Sequence, residues 1–363
     1  MTEQDKKIRD ELAEYYATTD GAIIEKRECF TVDKHLGAPQ QYEYVKIYNN
    51  NAYCAFRGGF DAGFKNAIKQ AQESLFKILN QADQVQPFKT QLLKWVGNKQ
   101  RFAHEIVSYF PSKFNTYYEP FLGSGAILGT LAPKRAVASD VFQPLYEIFN
   151  TLKNDPETLK EWYAERRNQI KGDNKIEVYE KVKASYNLKP NGADLVFLCR
   201  TCYGGVVRFR QADGYMSTPC GVHSPVSAES FSERVDIWKE RVSGTNFVHS
   251  DYKDILKKAK KGDLVYADPP YVHSQTILYG AQTFSLGELF EVIQELKSRG
   301  VYFALSIDGT KKSGDMLCDL PIPKGLFETE VFVNCGRSML RRFQMKDQTL
   351  ENEVVSDRLL LTY

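Results

Sequence analysis

From residue 88 onward, short apolar runs alternate with segments whose apolar residues recur at helical spacing. The short runs predict buried strands and the recurring pattern predicts amphipathic helices. Strand-like runs fall at Tyr117–Phe121, Ala136–Ser139, Asn246–His249, Asp263–Ala267, Tyr302–Ile307, Glu328–Asn334 and Arg358–Tyr363. Their alternation with helical patterns predicts an α/β domain built on a largely parallel sheet. Between Asn150 and Gly244 the alternation lapses, and helix-like segments surround an irregular stretch, Arg200–Pro225, rich in Gly, Arg, Tyr, Ser and Pro. That is the pattern of an insert. Residues 1–87 differ again. A charged helix-like start gives way to strand-like runs such as Tyr44–Tyr48, then to a helix with Phe64, Ile68, Ala71, Leu75 and Ile78 on one face. The polar stretch Asn80–Pro87 reads as a linker. The expected organisation is a small α+β extension of unknown role (1–87), an α/β domain (88–150 and 245–363) and a mainly helical insert (151–244).

Composition narrows the class without choosing a function. The 363 residues are 42% hydrophobic and 26% charged, which suits a globular protein of two or three units. The net charge of +2 leaves room for a local basic face. No apolar stretch is long enough to cross a bilayer, and the polar start Met1–Lys7 lacks the apolar core of a signal peptide. Seven scattered cysteines do not form a disulfide framework, so the chain is expected to be cytosolic and reduced. Cys199-Arg200-Thr201-Cys202 has only Cys220 and His223 nearby, so it reads as structural thiols rather than a metal site.

The chemistry-bearing residues gather at predicted strand ends, where ligands of open parallel sheets bind. Asp268-Pro269-Pro270-Tyr271 directly follows the run Leu264–Ala267. The Asp268 carboxylate and the Pro269 carbonyl, held by two fixed φ angles, can each accept a hydrogen bond from one exocyclic amine. Tyr271 offers a ring face for stacking. Together they make a slot for a flat, amine-bearing base; a Pro-Pro turn ending a buried strand is the plainer alternative. Gly123 and Gly125 follow the first strand, where a bare backbone can approach a ligand. Asp140 ends the next strand, in position to take the hydroxyls of a ribose, and Asp251 follows the strand ending at His249. Without a G-x-G-x-x-G run or a P-loop lysine, a nucleoside with a positively charged substituent fits better than a dinucleotide or a nucleoside triphosphate. Upstream, Lys94-Trp95-Val96-Gly97-Asn98-Lys99 brackets an aromatic ring with two cations. It suits an adenine face or a carboxylate grip, or else the start of an amphipathic helix.

In this order, Lys94-Trp95-x-Gly97-x-Lys99, Glu119-Pro120-Phe121-x-Gly123-x-Gly125, Asp140, a long insert and Asp268-Pro269-Pro270-Tyr271, the motifs resemble the Dam-like (D12 class, α group) DNA adenine-N6 methyltransferases. The resemblance spans about residues 91–363. It implies a Rossmann-like methyltransferase sheet, S-adenosylmethionine as methyl donor without a metal, and a target-recognition insert. It implies that Trp95, Lys99, Phe121, Gly123, Gly125, Asp140, Asp251 and Asp268 meet the cofactor and that Asp268, Pro269, Pro270 and Tyr271 are catalytic. Arg200-x-x-Tyr203-Gly204-Gly205-x-x-Arg208-Phe209 is similar to the family's target-recognition loop. With Arg210 and Tyr215, the residues Arg200, Tyr203 and Arg208 are the expected DNA contacts, and Arg337, Arg341 and Arg342 offer a second basic patch. Asn98 replaces a common family glycine, as a residue tolerant of positive φ. Residues 211–223 differ from GATC-methylating members, and residues 1–87 have no counterpart in compact ones.

The expected activity is site-specific methylation of adenine N6 in double-stranded DNA, with the base flipped out. The expected setting is a restriction-modification system in the cytoplasm of a prokaryote or phage host, with a cognate endonuclease, a monomeric enzyme and no membrane. Cytosine-N4 methylation and a catalytically silent DNA-binding module remain as alternatives.

Overall fold

The computed structural model describes residues 85–210, 212–270, 284–307, 320–333 and 357–363 in full. It describes strand backbone alone at 23–32, 39–49, 52–58, 308–311, 316–317, 334–337 and 354–356. The helix expected around Phe64–Ile78, the ring of Tyr271 and the side chains of Arg337, Arg341 and Arg342 lie outside the described residues.

The chain forms two compact units, one of residues 1–84, 309–319 and 329–360, the other of residues 85–308, 320–328 and 361–363. In the first, strands β1 (Ile23–Val32), β2 (Pro39–Asn49) and β3 (Ala52–Gly58) form an antiparallel meander. A late segment, β9 (Thr329–Arg337), pairs antiparallel with β3 through Val331 opposite Cys54 and Val333 opposite Ala52, and β10 (Val354–Leu361) lies beside β9. Residues 329–360 therefore group with the N-terminal strands, where the sequence pattern had them within the α/β domain. Backbone pairing between distant segments leaves no periodic mark on either one.

The second unit carries the parallel sheet. Its strands are β4 (Tyr117–Glu119), β5 (Ala136–Asp140), β6 (Thr245–His249), β7 (Leu264–Ala267) and β8 (Tyr302–Lys311). Their order is β8-β7-β4-β5-β6, every neighbour parallel. β4 sits between β5 and β7, so the direction of winding reverses there. A crevice opens beyond the carboxyl ends of strands at such a switch point. All four residues of β7 are buried, as a strand covered on both faces requires.

Helix α1 (Ala103–Ser108) precedes β4, α2 (Ala126–Leu131) follows it and α3 (Gln143–Asn154) follows β5. The insert packs α4 (Pro156–Arg167), α6 (Gly192–Thr201) and α7 (Ala228–Arg241) against α3, and α5 (Lys175–Leu188) against α6. Their starts are written locally. Asp155 accepts from the Thr158 amide, Asn191 from Asp194 and Ser227 from Ser230, each satisfying an amide the helix cannot. Inside, the Tyr163 and Phe231 rings stack at 4.1 Å, and Trp238 is fully buried with its indole N–H on the Thr90 carbonyl at 2.8 Å. Gly129 on α2 makes room for that indole, because a Cβ there would stand 2.5 Å from Trp238. Helices α8 (Tyr252–Leu256) and α9 (Leu286–Ser298) complete the second unit's described helices.

Candidate active site

The turn after β4 is shaped by two glycines. Gly123 and Gly125 have φ of +50° and +66°, a region costly for any residue with a side chain. A Cβ on Gly125 would also stand 3.0 Å from the Phe149 ring. The turn is pinned to the end of β5, since the Gly123 amide donates to Asp140 Oδ2 at 3.1 Å and the Phe142 amide to Oδ1 at 3.0 Å. Burial pushes the Asp140 carboxyl above its usual range, opposed by these amides and by His249. Each oxygen has a further lone pair to offer a hydroxyl. Upstream, the positive φ of the Lys94–Lys99 turn falls on Gly97, at +74°, and not on Asn98. Asn98 instead accepts from the Gln100 amide at 2.8 Å, which corrects the expectation that it replaces a glycine by tolerating positive φ.

A cavity of about 290 Å³ opens at the switch point. Trp95, Lys99, Phe121, Gly123, Asp140, Asp251, Asp268 and Pro270 all line it. Gly125 does not and acts through the turn it permits. Asp251 caps α8 by accepting from the Lys253 amide at 2.9 Å. Pro269 is buried. Lys99 Nζ lies 3.0 Å from Asp268 Oδ1, both side chains largely removed from solvent, so the lysine orients the carboxylate at the end of β7.

Several lining residues escaped the sequence reading as site residues. Glu119, only 2% exposed, accepts from the Tyr117 hydroxyl at 2.6 Å. Burial pushes its carboxyl up to about 8, with Asp268 adding to the rise and the Tyr117 hydrogen bond opposing it. Phe142 packs on Trp95 at 6.1 Å. Tyr252 and Phe284 flank Phe121 at 5.2 and 5.7 Å, and the buried Tyr252 hydroxyl has no hydrogen-bond partner among the described residues. An aromatic after a capping aspartate was the one available signal for Tyr252. Phe284 and Phe142 carried none.

The arrangement joins aromatic walls, a ribose-compatible carboxylate, the buried Glu119 and the half-buried Asp268 with its lysine. Such a cavity suits a flat ring and vicinal hydroxyls on one ligand.

The expected DNA-facing residues divide. Arg200 is 7% exposed and donates to the Gln91 and Leu92 carbonyls at 3.2 and 2.7 Å, its guanidinium beside the Phe231 ring. It ties α6 to the 91–92 segment, which corrects its assignment to the DNA surface. Arg208 and Arg210 belong to a short hairpin closed by the pairing of Phe209 with Met216. Arg210 is exposed, stacks over Tyr215 at 4.3 Å and pairs with Asp213 at 2.6 Å. Tyr203 and Tyr215 are 41% and 37% exposed. Cys199 and Cys202 are buried free thiols, with Cys220 across a backbone bridge from Cys202. Burial pushes the Cys199 thiol up to about 12, so it is inert at neutral pH.

Known proteins place this architecture. The type II methyltransferase M1.LlaDCHI of Lactococcus lactis subsp. cremoris is 26% identical over 253 residues, 64% of this chain and 85% of its own. A DNA adenine methylase of Vibrio cholerae serotype O1 is 24% identical over 231 residues, 59% of this chain and 79% of its own. The type II methyltransferase M.FokI of Planomicrobium okeanokoites is 26% identical over 226 residues, 59% of this chain and 35% of its own. The model of the D12 class N6 adenine-specific DNA methyltransferases matches residues 95–331, more than half of the chain and the whole of the cavity lining. The chain belongs to that family and is an adenine-specific DNA methyltransferase.

Proposed function

We propose that the cavity binds S-adenosylmethionine and that an adenine flipped out of duplex DNA enters beside Asp268. The observation that carries this is the meeting of Asp140, Asp268 and an aromatic wall at one switch point, on three different strand ends. Asp140 is suited to the ribose hydroxyls, and Phe121, Tyr252 and Phe284 to the cofactor adenine. When bound, S-adenosylmethionine supplies an electrophilic methyl group on a good leaving group.

The protein's part is to hold and orient. Asp268, aligned by Lys99, accepts a hydrogen bond from the exocyclic amine, and the Pro269 carbonyl accepts the other. The amine lone pair is thereby aimed at the methyl carbon, and proximity supplies most of the acceleration. Tyr271, by its place in the tetrapeptide, stacks on the extruded base and offsets part of the unstacking cost. Tyr203, Arg208, Arg210 and Tyr215 form the surface toward duplex DNA. The type II names of two relatives favour a restriction-modification setting with a cognate endonuclease. Among the described residues no helix is long and apolar enough to cross a membrane, in keeping with a DNA-associated enzyme of the cytoplasm.

Transfer of tritiated methyl groups from S-adenosylmethionine to duplex DNA, followed by sequencing of the methylated product, is the test. We expect N6-methyladenine at one short motif. Asp268→Ala should lower the rate at least a hundredfold, roughly 2.7 kcal/mol of barrier, and should lower melting as well, since the buried Lys99 loses that ion pair; the rate is read below the melting transition. Activity of that variant within tenfold of wild type would remove Asp268 from the chemistry.

A further inference from the structure

Phe209 belongs to two pieces of structure at once. Its backbone is a rung of the hairpin: it pairs with Met216, the Arg210 amide donates to the Tyr215 carbonyl at 2.9 Å and Ser217 to Arg208 at 3.0 Å. Its ring lines the cavity. There it meets Phe142 edge-on at 5.5 Å and Tyr186 at 6.3 Å. Phe142 is in turn fixed, through its amide on Asp140 and its ring against Trp95. Side chains alternate along an extended strand, so a ring turned inward at 209 sends its neighbours Arg208 and Arg210 to the other face. One rung of the hairpin thus closes the cavity, while Arg210 beside it is exposed and Arg208 half-buried.

We infer that Phe209 is the residue through which cofactor and DNA feel each other, a coupling that rests on the cofactor and DNA assignments proposed above. Duplex held by the hairpin fixes the backbone at Phe209 and so finishes the cavity wall. A filled cavity holds the ring against Phe142 and so presents the hairpin in its DNA-binding form. Linkage makes the two effects equal in size: each ligand raises affinity for the other by the same factor. Phe209 takes no part in the chemistry; it is a positioning residue, and its loss uncouples the sites.

Calorimetric titration tests this with the unreactive product S-adenosylhomocysteine, with and without a saturating duplex carrying the motif that the enzyme is found to methylate. Wild type should bind the nucleoside about fivefold or more tightly in the presence of DNA. Phe209→Ala should weaken binding to the free enzyme several-fold and bring the ratio to about one, because the ring is both wall and link. Phe209→Leu, which keeps a side chain in the wall, should restore most of the free-enzyme affinity and only part of the ratio. It also serves if the alanine variant does not fold. A wild-type ratio of one, or a wild-type ratio in either folded variant, overturns the inference and leaves the enzyme's assignment intact. If wild type binds no S-adenosylhomocysteine or methylates no DNA, the assignment of the cavity itself falls, and the coupling with it.

Discussion

At the scale of single residues, the site is a set of carboxylates whose environments differ. Asp140 is held by two backbone amides in a buried position, which makes it a fixed acceptor pair. Asp140→Ala should weaken S-adenosylmethionine binding by about tenfold or more, from loss of charge-assisted hydrogen bonds, and leave DNA affinity almost unchanged. Separate titrations of the two ligands check it, and equal losses would place Asp140 outside the cofactor site. Glu119 makes the opposite case, a carboxyl kept neutral. It would ionise near its ordinary 4.5 in the unfolded chain but holds its proton to about 8 when folded. Between those values the folded state binds the extra proton, so this contribution to stability is full below the lower value and lost as pH rises through the higher. Glu119→Gln should therefore flatten the fall in melting temperature between about pH 5 and pH 8. It should flatten it only in part, because burial also lifts Glu105 on α1 to about 8. Melting curves across that range decide it; an unchanged slope would mean that Glu119 is ionised in the folded protein.

At the scale of elements, helix starts are set by local caps. Asp155, Asn191 and Ser227 stand one residue before α4, α6 and α7, and each makes its capping bond. What seats the insert on the parallel-sheet elements was not legible, since it depends on the fit between α7 and α2. Trp238 lies over Gly129, and Arg241 donates to the Gly129 and Thr130 carbonyls. Gly129→Ala should lower stability by about 1–3 kcal/mol through overpacking against the indole. Denaturant unfolding measures it, and Gly129→Ala with Trp238→Phe should recover part of the loss if the clash is the cause. The expected role of Arg200 failed for a related reason. A basic residue at the end of a buried helix reads as a surface charge in sequence, yet two main-chain carbonyls of the 91–92 segment claim it.

At the scale of the whole molecule, a net charge of +2 gives no global attraction to DNA, so binding must depend on a few local cations. Arg210 is exposed and its carboxylate partner, Asp213, is exposed as well, a pairing worth little in water. Arg210→Ala should lower affinity for all duplexes alike and reduce the slope of log affinity against log salt by about one. If it relaxes preference at one base position instead, the arginine reads a base edge. From the sequence alone came the α/β class, the strand-end positions of Asp140, Asp251 and Asp268, and the glycine turn. Each of these is a local property, written as periodicity or as a motif of adjacent residues. The tertiary structure decided what adjacency cannot encode. It joined residues 329–360 to the N-terminal strands, turned Arg200 inward, and brought Glu119, Phe142, Phe209, Tyr252 and Phe284 around one cavity from distant parts of the chain. Side chains far apart in sequence meet only when strand order is set. That order follows from burying every apolar face at once, a condition on the whole molecule that no single segment carries.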